Sequence, residues 1–86
     1  MVIEQIYLEC VNDYSCKFYT AALTSEGVRC SVARCHGALG APVPWSFKVR
    51  DASPATAQKA YQALIREKIR HSYVECPLPA YLKYNP

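Results

Sequence analysis

The hydrophobic pattern of this chain changes period once, at Ser53-Pro54. Before that point apolar residues tend to alternate with polar ones, the spacing of strands; after it they recur every three or four positions, the spacing of a helix. Ser53 can cap that helix, and Pro54 at its first position gives up an N–H the helix does not need. Ala57, Ala60, Tyr61, Leu64, Ile65 and Ile69 form its apolar stripe, with Lys59, Gln62, Arg66 and Arg70 opposite. The stripe predicts a helix to about His71. One helix lying across one antiparallel sheet makes a two-layer α+β domain.

Four strands are expected ahead of the helix. Val2 to Val11 places Ile6, Leu8 and Cys10 on one face, and Asn12-Asp13 supplies a turn. Lys17 to Leu23 is the second strand, and Thr24 to Gly27 the next turn, with Gly27 free to take a positive φ. In the third, Val28 to His36, Val28, Cys30 and Val32 alternate with Arg29, Ser31 and Ala33. The pattern implies a hairpin with one wet face. Gly37 to Pro44 is a loop. In the fourth strand, Trp45 to Arg50, parity sends Trp45, Phe47 and Val49 inward and Ser46, Lys48 and Arg50 outward. Residues 75–86 read as an extended tail rich in proline and tyrosine, able to pack along the sheet or the helix.

With 86 residues there is room for a single domain, spanning 1–86. The odd cysteine count of 5 does not suit a closed disulfide framework. Met1 to Gln5 has no basic, then apolar, leader, and no apolar run is long enough to span a bilayer. The expectation is a cytoplasmic protein whose cysteines serve as small core residues. Cys30, Cys35 and His36, even with Cys76, do not have standard zinc spacing, and Cys30 and Cys35 have opposite strand parity. No metal or other cofactor is expected. Nor is catalysis: no nucleophile–base pair, paired acids or phosphate-cradling glycine loop is visible, and the neighbours Cys35 and His36 point to opposite faces.

Lys17-Phe18-Tyr19 resembles the "NKFY" motif of WGR domains, with Cys16 in place of the Asn. His36-Gly37-Ala38-Leu39-Gly40 sits where that family carries Trp-Gly-Arg-Ile-Gly, and Lys68 ahead of Ser72-Tyr73 is similar to its "K…GY" ending. The resemblance runs from about Ile3 to Val74. It implies an antiparallel sheet packed by one C-terminal helix. It also implies a binding role, since WGR domains of poly(ADP-ribose) polymerases bind DNA ends through the Trp and Arg and also dock on neighbouring domains. Here His36 replaces that Trp and Ala38 that Arg, which removes a bidentate phosphate donor.

The candidate residues each carry two readings. Lys17 is a phosphate contact or a solvated strand lysine. His36 stacks on a base or sugar, or braces its loop. Gly37 and Gly40 hold backbone conformations that a β-carbon would strain, and an exposed N–H there can also meet a phosphate. Arg29, Arg34, Lys48 and Arg50 lie in a stretch from Gly27 to Arg50 that has no acidic residue; they form a basic patch or a solvated sheet face. Lys59, Arg66 and Arg70 read as a solvated helix face. Phe18, Tyr19, Trp45, Phe47 and Tyr61 read as core. The net charge of +3 permits a phosphate-bearing or acidic partner without requiring one.

Together these features lead to a non-catalytic binding module, monomeric or weakly dimeric and without a membrane partner. It is expected to take DNA or another nucleic acid weakly through Lys17, Arg34, His36, Gly37, Lys48 and Arg50. The alternative is a module that binds a separate protein or a second copy of itself.

Overall fold

A computed structural model describes the whole chain, Met1 to Pro86. Its elements are β1 (Val2–Val11), β2 (Cys16–Glu26), β3 (Arg29–Ala38), β4 (Ser46–Ala52), α1 (Pro54–Arg70) and β5 (Val74–Glu75), with a short 3-10 turn at Ala80–Leu82. They form one antiparallel sheet in the order β4-β3-β2-β1-β5, with α1 against it. The α+β architecture is as the period change requires. The sheet has five strands rather than four because β5, only two residues long, pairs with Leu8 and Glu9. A strand that short has no period to read.

α1 starts where the sequence places it. Ser53 Oγ accepts the Thr56 N–H at 3.3 Å, and Pro54 opens the helix. Ala57, Tyr61 and Leu64 are buried on Leu8, Cys10, Tyr19, Ala21, Leu23, Cys30 and Val32 from the three central strands. Ile6 and Val49 pack at the margin. Ile69, assigned to the same stripe, is instead 54% exposed. No helix is long and apolar enough to cross a membrane.

The second face of the sheet is not wet along its length. Tyr7, Phe18, Cys35 and Leu82 form a second buried cluster, flanked by Leu39, Val43, Trp45 and Cys76. The tail makes this cover. The Gln5 amide donates to the Leu82 carbonyl at 2.9 Å and to Thr20 Oγ1 at 3.0 Å, while its oxygen accepts the Tyr84 N–H at 3.0 Å. Tyr84 meets Trp45 edge-on at 4.6 Å. Ala33 and Cys35, placed on a wet face by alternation, are each 1% exposed. Alternation identified the two faces; of the two places open to the tail, sheet or helix, the tail takes the sheet.

β4 departs most from its expected parity. Cys30 lies opposite Ala52, Val32 opposite Val49, and Ala33 opposite Phe47. Each step along β3 is thus matched by one residue too many on β4, giving two β-bulges. Each bulge flips the side chains beyond it. Val49 faces the helix, whereas Trp45 packs with the tail-side cluster and Phe47 is 41% exposed. Trp45 itself lies just outside the strand. Asp51 sits at the second bulge with φ of 55°. β3 holds it there: Arg29 donates to the Asp51 carbonyl from Nε at 3.1 Å and Nη2 at 2.5 Å, and the Asp51 N–H donates to Ser31 Oγ at 2.9 Å. β1 carries a milder irregularity, since Ile3 has no opposite number between Val2–Thr24 and Glu4–Leu23.

Candidate functional site

The candidate residues separate into two groups at opposite ends of β3. Its Ala38 end, where β2 begins and α1 finishes, gathers Lys17, Arg34, His36 and Gly37. The register puts Lys17 opposite Ala38 and Tyr19 opposite His36. Lys17, Tyr19, Arg34 and His36 share the parity of the helix-facing residues, so all four look toward the end of α1. Lys48 and Arg50 do not join them. The bulges rotate β4, and Arg50 instead lies over the Phe47 ring at 4.7 Å. Lys48 is exposed at the first bulge. The single basic patch expected from the acid-free stretch is therefore divided.

At the Ala38 end the cations rest on aromatic rings. Tyr19 and His36 stack with their planes 7° apart and centres 5.1 Å apart. Tyr73 meets Tyr19 edge-on at 6.3 Å. Lys68 Nζ lies 4.7 Å from the Tyr19 ring centre and 5.9 Å from that of Tyr73, and Lys17 Nζ is 5.8 Å from Tyr73. These are cation–π distances. Tyr19 is 3% exposed and His36 is exposed, so the imidazole is the outer member of the stack. Burial, with Arg34 and then Lys68 nearby, holds the His36 pKa below its ordinary value. The ring is therefore mostly neutral at pH 7.

Arg34 sits half-buried beside the Tyr19 phenol. Burial pushes that phenol up, and the Arg34 charge draws it partly back. Yet neither Tyr19 Oη nor Arg34 Nε has a hydrogen-bond partner in good geometry. Arg34 thus stands beside the stack with its Nε unpartnered. The only ion pair in the structure is Arg29–Asp51, at the other end of β3, so Lys17, Arg34 and Lys68 have no acidic partner.

A groove of about 450 Å³ opens over this cluster, lined by Tyr14, Ser15, Cys16, Lys17, His36, Gly37, Ala38 and Tyr73. Gly37 belongs there for steric reasons: a β-carbon would lie 2.7 Å from Val43 Cγ2. A larger cleft, about 760 Å³, opens at the opposite end between Arg29, Arg50, Glu26, Asp51, Phe47 and Tyr84. Its cations are interspersed with acids, and Arg29 is tied to Asp51. It therefore lacks the single-sign charge that gathers an anion.

Lys68, Tyr73 and Tyr14 were not among the candidate binding residues, although the first two stand in the segment that resembles the WGR ending. Lys68 carried a signal in its position: it follows Tyr61 and Leu64 by seven and four residues, which places a lysine on the apolar stripe. Such a lysine buries its stem and presents its ammonium at the margin. Tyr73 follows the left-handed Ser72, φ 72°, whose turn swings it back under Lys17 and Lys68; alternation and helical spacing do not encode that. Tyr14, in the first turn, had no distinguishing spacing. Cys30 and Cys35 lie in opposite-face clusters, as their parity requires.

No family model, curated protein or solved structure matched this chain in the comparisons made.

Proposed function

We propose that this chain is a non-catalytic binding module that takes nucleic acid, in the first instance DNA, at the end of the sheet where β2, β3 and α1 meet. The observation that carries the reading is the convergence of Lys17, Arg34 and Lys68, none with an acidic partner, on the Tyr19–His36–Tyr73 rings beside an open groove. Unpaired cations favour phosphate oxygens, and the exposed His36 ring favours a base or sugar; nucleic acid presents both. Lys17 and Lys68 would contact phosphate, His36 would offer its outer face, and Arg34 would hold the stack. The resemblance to WGR domains points the same way.

Fluorescence polarisation of a short labelled blunt duplex, with and without a 5′-phosphate and across several salt concentrations, tests this. Affinity should fall with salt by a log–log slope of about −0.9 per phosphate neutralised. Lys17→Ala and Lys68→Ala should each weaken binding. Absence of binding at low salt, to this duplex and to single strands alike, removes the reading.

A second reading, docking of a separate protein or another copy, has its own observation. β5 covers β1 only at Leu8 and Glu9, leaving Glu4 to Ile6 without a strand partner on the outer side. A stoichiometric co-purifying partner that protects the β1 amides from exchange would favour it.

A further inference from the structure

Tyr14 is the large apolar side chain with the greatest exposure, at 97%. It packs on nothing, so the fold gives no account of why an aromatic ring stands there. Its backbone is nevertheless held. The Asn12 Oδ1 accepts the Tyr14 N–H at 2.8 Å, and the Asn12 N–H donates to the Ser15 carbonyl at 2.8 Å. The β1–β2 turn is thus a braced support with a free ring at its tip. Tyr14 is one of the residues that line the groove with Lys17, His36 and Tyr73, so its ring stands at the rim.

From this placement we infer that Tyr14 stacks on a nucleobase, and that the groove prefers nucleic acid with an unpaired base over a closed duplex. The inference rests on the nucleic-acid reading and adds the kind of strand to it. Lys17 and Lys68 supply affinity for phosphate whatever the strand. An aromatic ring on a turn tip adds affinity only where a base face is free, because bases inside a duplex are already stacked on each other. Single strands and frayed or overhanging ends offer such a face. Stacking on an aromatic ring is sequence-tolerant, so the preference concerns pairing state and not base identity. With the turn already ordered, little backbone freedom is lost when the ring engages.

Wild type, Tyr14→Ala and Tyr14→Phe are titrated with an oligothymidylate, an abasic oligonucleotide of the same length and a blunt duplex, at one low salt concentration. Wild type should bind the oligothymidylate about tenfold tighter than the abasic strand. Tyr14→Ala should lose most of that difference while keeping its affinity for the abasic strand, and Tyr14→Phe should retain it. Since the side chain makes no packing contact, both variants should melt with the wild type. Three outcomes overturn the proposal with the nucleic-acid reading intact: unchanged binding by Tyr14→Ala, equal loss on the abasic strand, or a wild type that does not distinguish the strands. A wild type that binds none of the three probes removes both.

Discussion

The two ends of β3 handle positive charge in opposite ways. At the Arg29 end the guanidinium is committed: it grips the Asp51 carbonyl and pairs with the Asp51 carboxylate at 3.6 Å, fixing a bulge in the neighbouring strand. At the His36 end, Lys17 and Lys68 lie over rings and answer to no acid. A cation tied to a carbonyl and a carboxylate is serving the fold. A cation over a ring keeps its hydrogen-bond donors free for something else. Local charge density would not separate these cases; the partners do.

The largest expected effect tests the availability of the free end. Lys17→Ala with Lys68→Ala should reduce oligonucleotide affinity by about a hundredfold at low salt, taking a charge-assisted hydrogen bond as worth about 1.5–3 kcal/mol. The salt slope should flatten by about 0.9 for each phosphate that is no longer neutralised. A slope that does not change would show these lysines to be bystanders. Next comes the bracing under the groove. Gly37→Ala should lower stability by about 1–3 kcal/mol, because the β-branched Val43 has little room to yield; thermal unfolding measures it. Arg29→Ala should cost about 1 kcal/mol by removing the bonds to Asp51, and should leave oligonucleotide affinity unchanged. Weaker binding there would break the division between the ends.

Tyr19→Phe sharpens the same contrast from within. It removes a buried hydroxyl that has no partner, so stability should stay within about 1 kcal/mol of wild type or rise. A marked fall would reveal a partner, such as a trapped water. The smallest effect belongs to His36. Its pKa lies below the ordinary 6.5 of the unfolded chain. Well above pH 6.5 both states hold the ring neutral and nothing changes. As pH falls from there toward the folded pKa, the unfolded chain takes up the proton first and stability declines. His36→Gln should flatten that part of a stability–pH curve. A phosphate at the site favours the protonated ring, so affinity should strengthen over the same range.

The sequence was most informative where one element answers to one pattern. The Ser53-Pro54 boundary, the Tyr61–Leu64 stripe and the opposed faces of Cys30 and Cys35 all follow from local spacing. It was least informative where distant segments decide. The cover over Cys35 depends on Leu82 returning across the sheet, and the exposure of Phe47 depends on a bulge that parity cannot foresee. The site shows the same division. Lys17, Arg34, His36 and Gly37 converge because β2 and β3 are in simple register. Lys48 and Arg50 separate from them because β4 is not. Lys68 and Tyr73 arrive from the far end of the helix, by a route no strand pattern contains.

The double bulge of β4 also governs how copies of this chain can meet. A regular edge strand offers its unpaired N–H and C=O groups as a template for another chain. β4 is interrupted at two places in seven residues and has a left-handed residue at the second, so its outer edge offers no continuous ladder. The opposite edge is covered by β5 only at Leu8 and Glu9, which leaves β1 as the one edge with an open run. Sheet-to-sheet growth needs two competent edges per molecule, one to receive and one to offer. With at most one, edge pairing closes on itself at two copies and cannot propagate into a fibre.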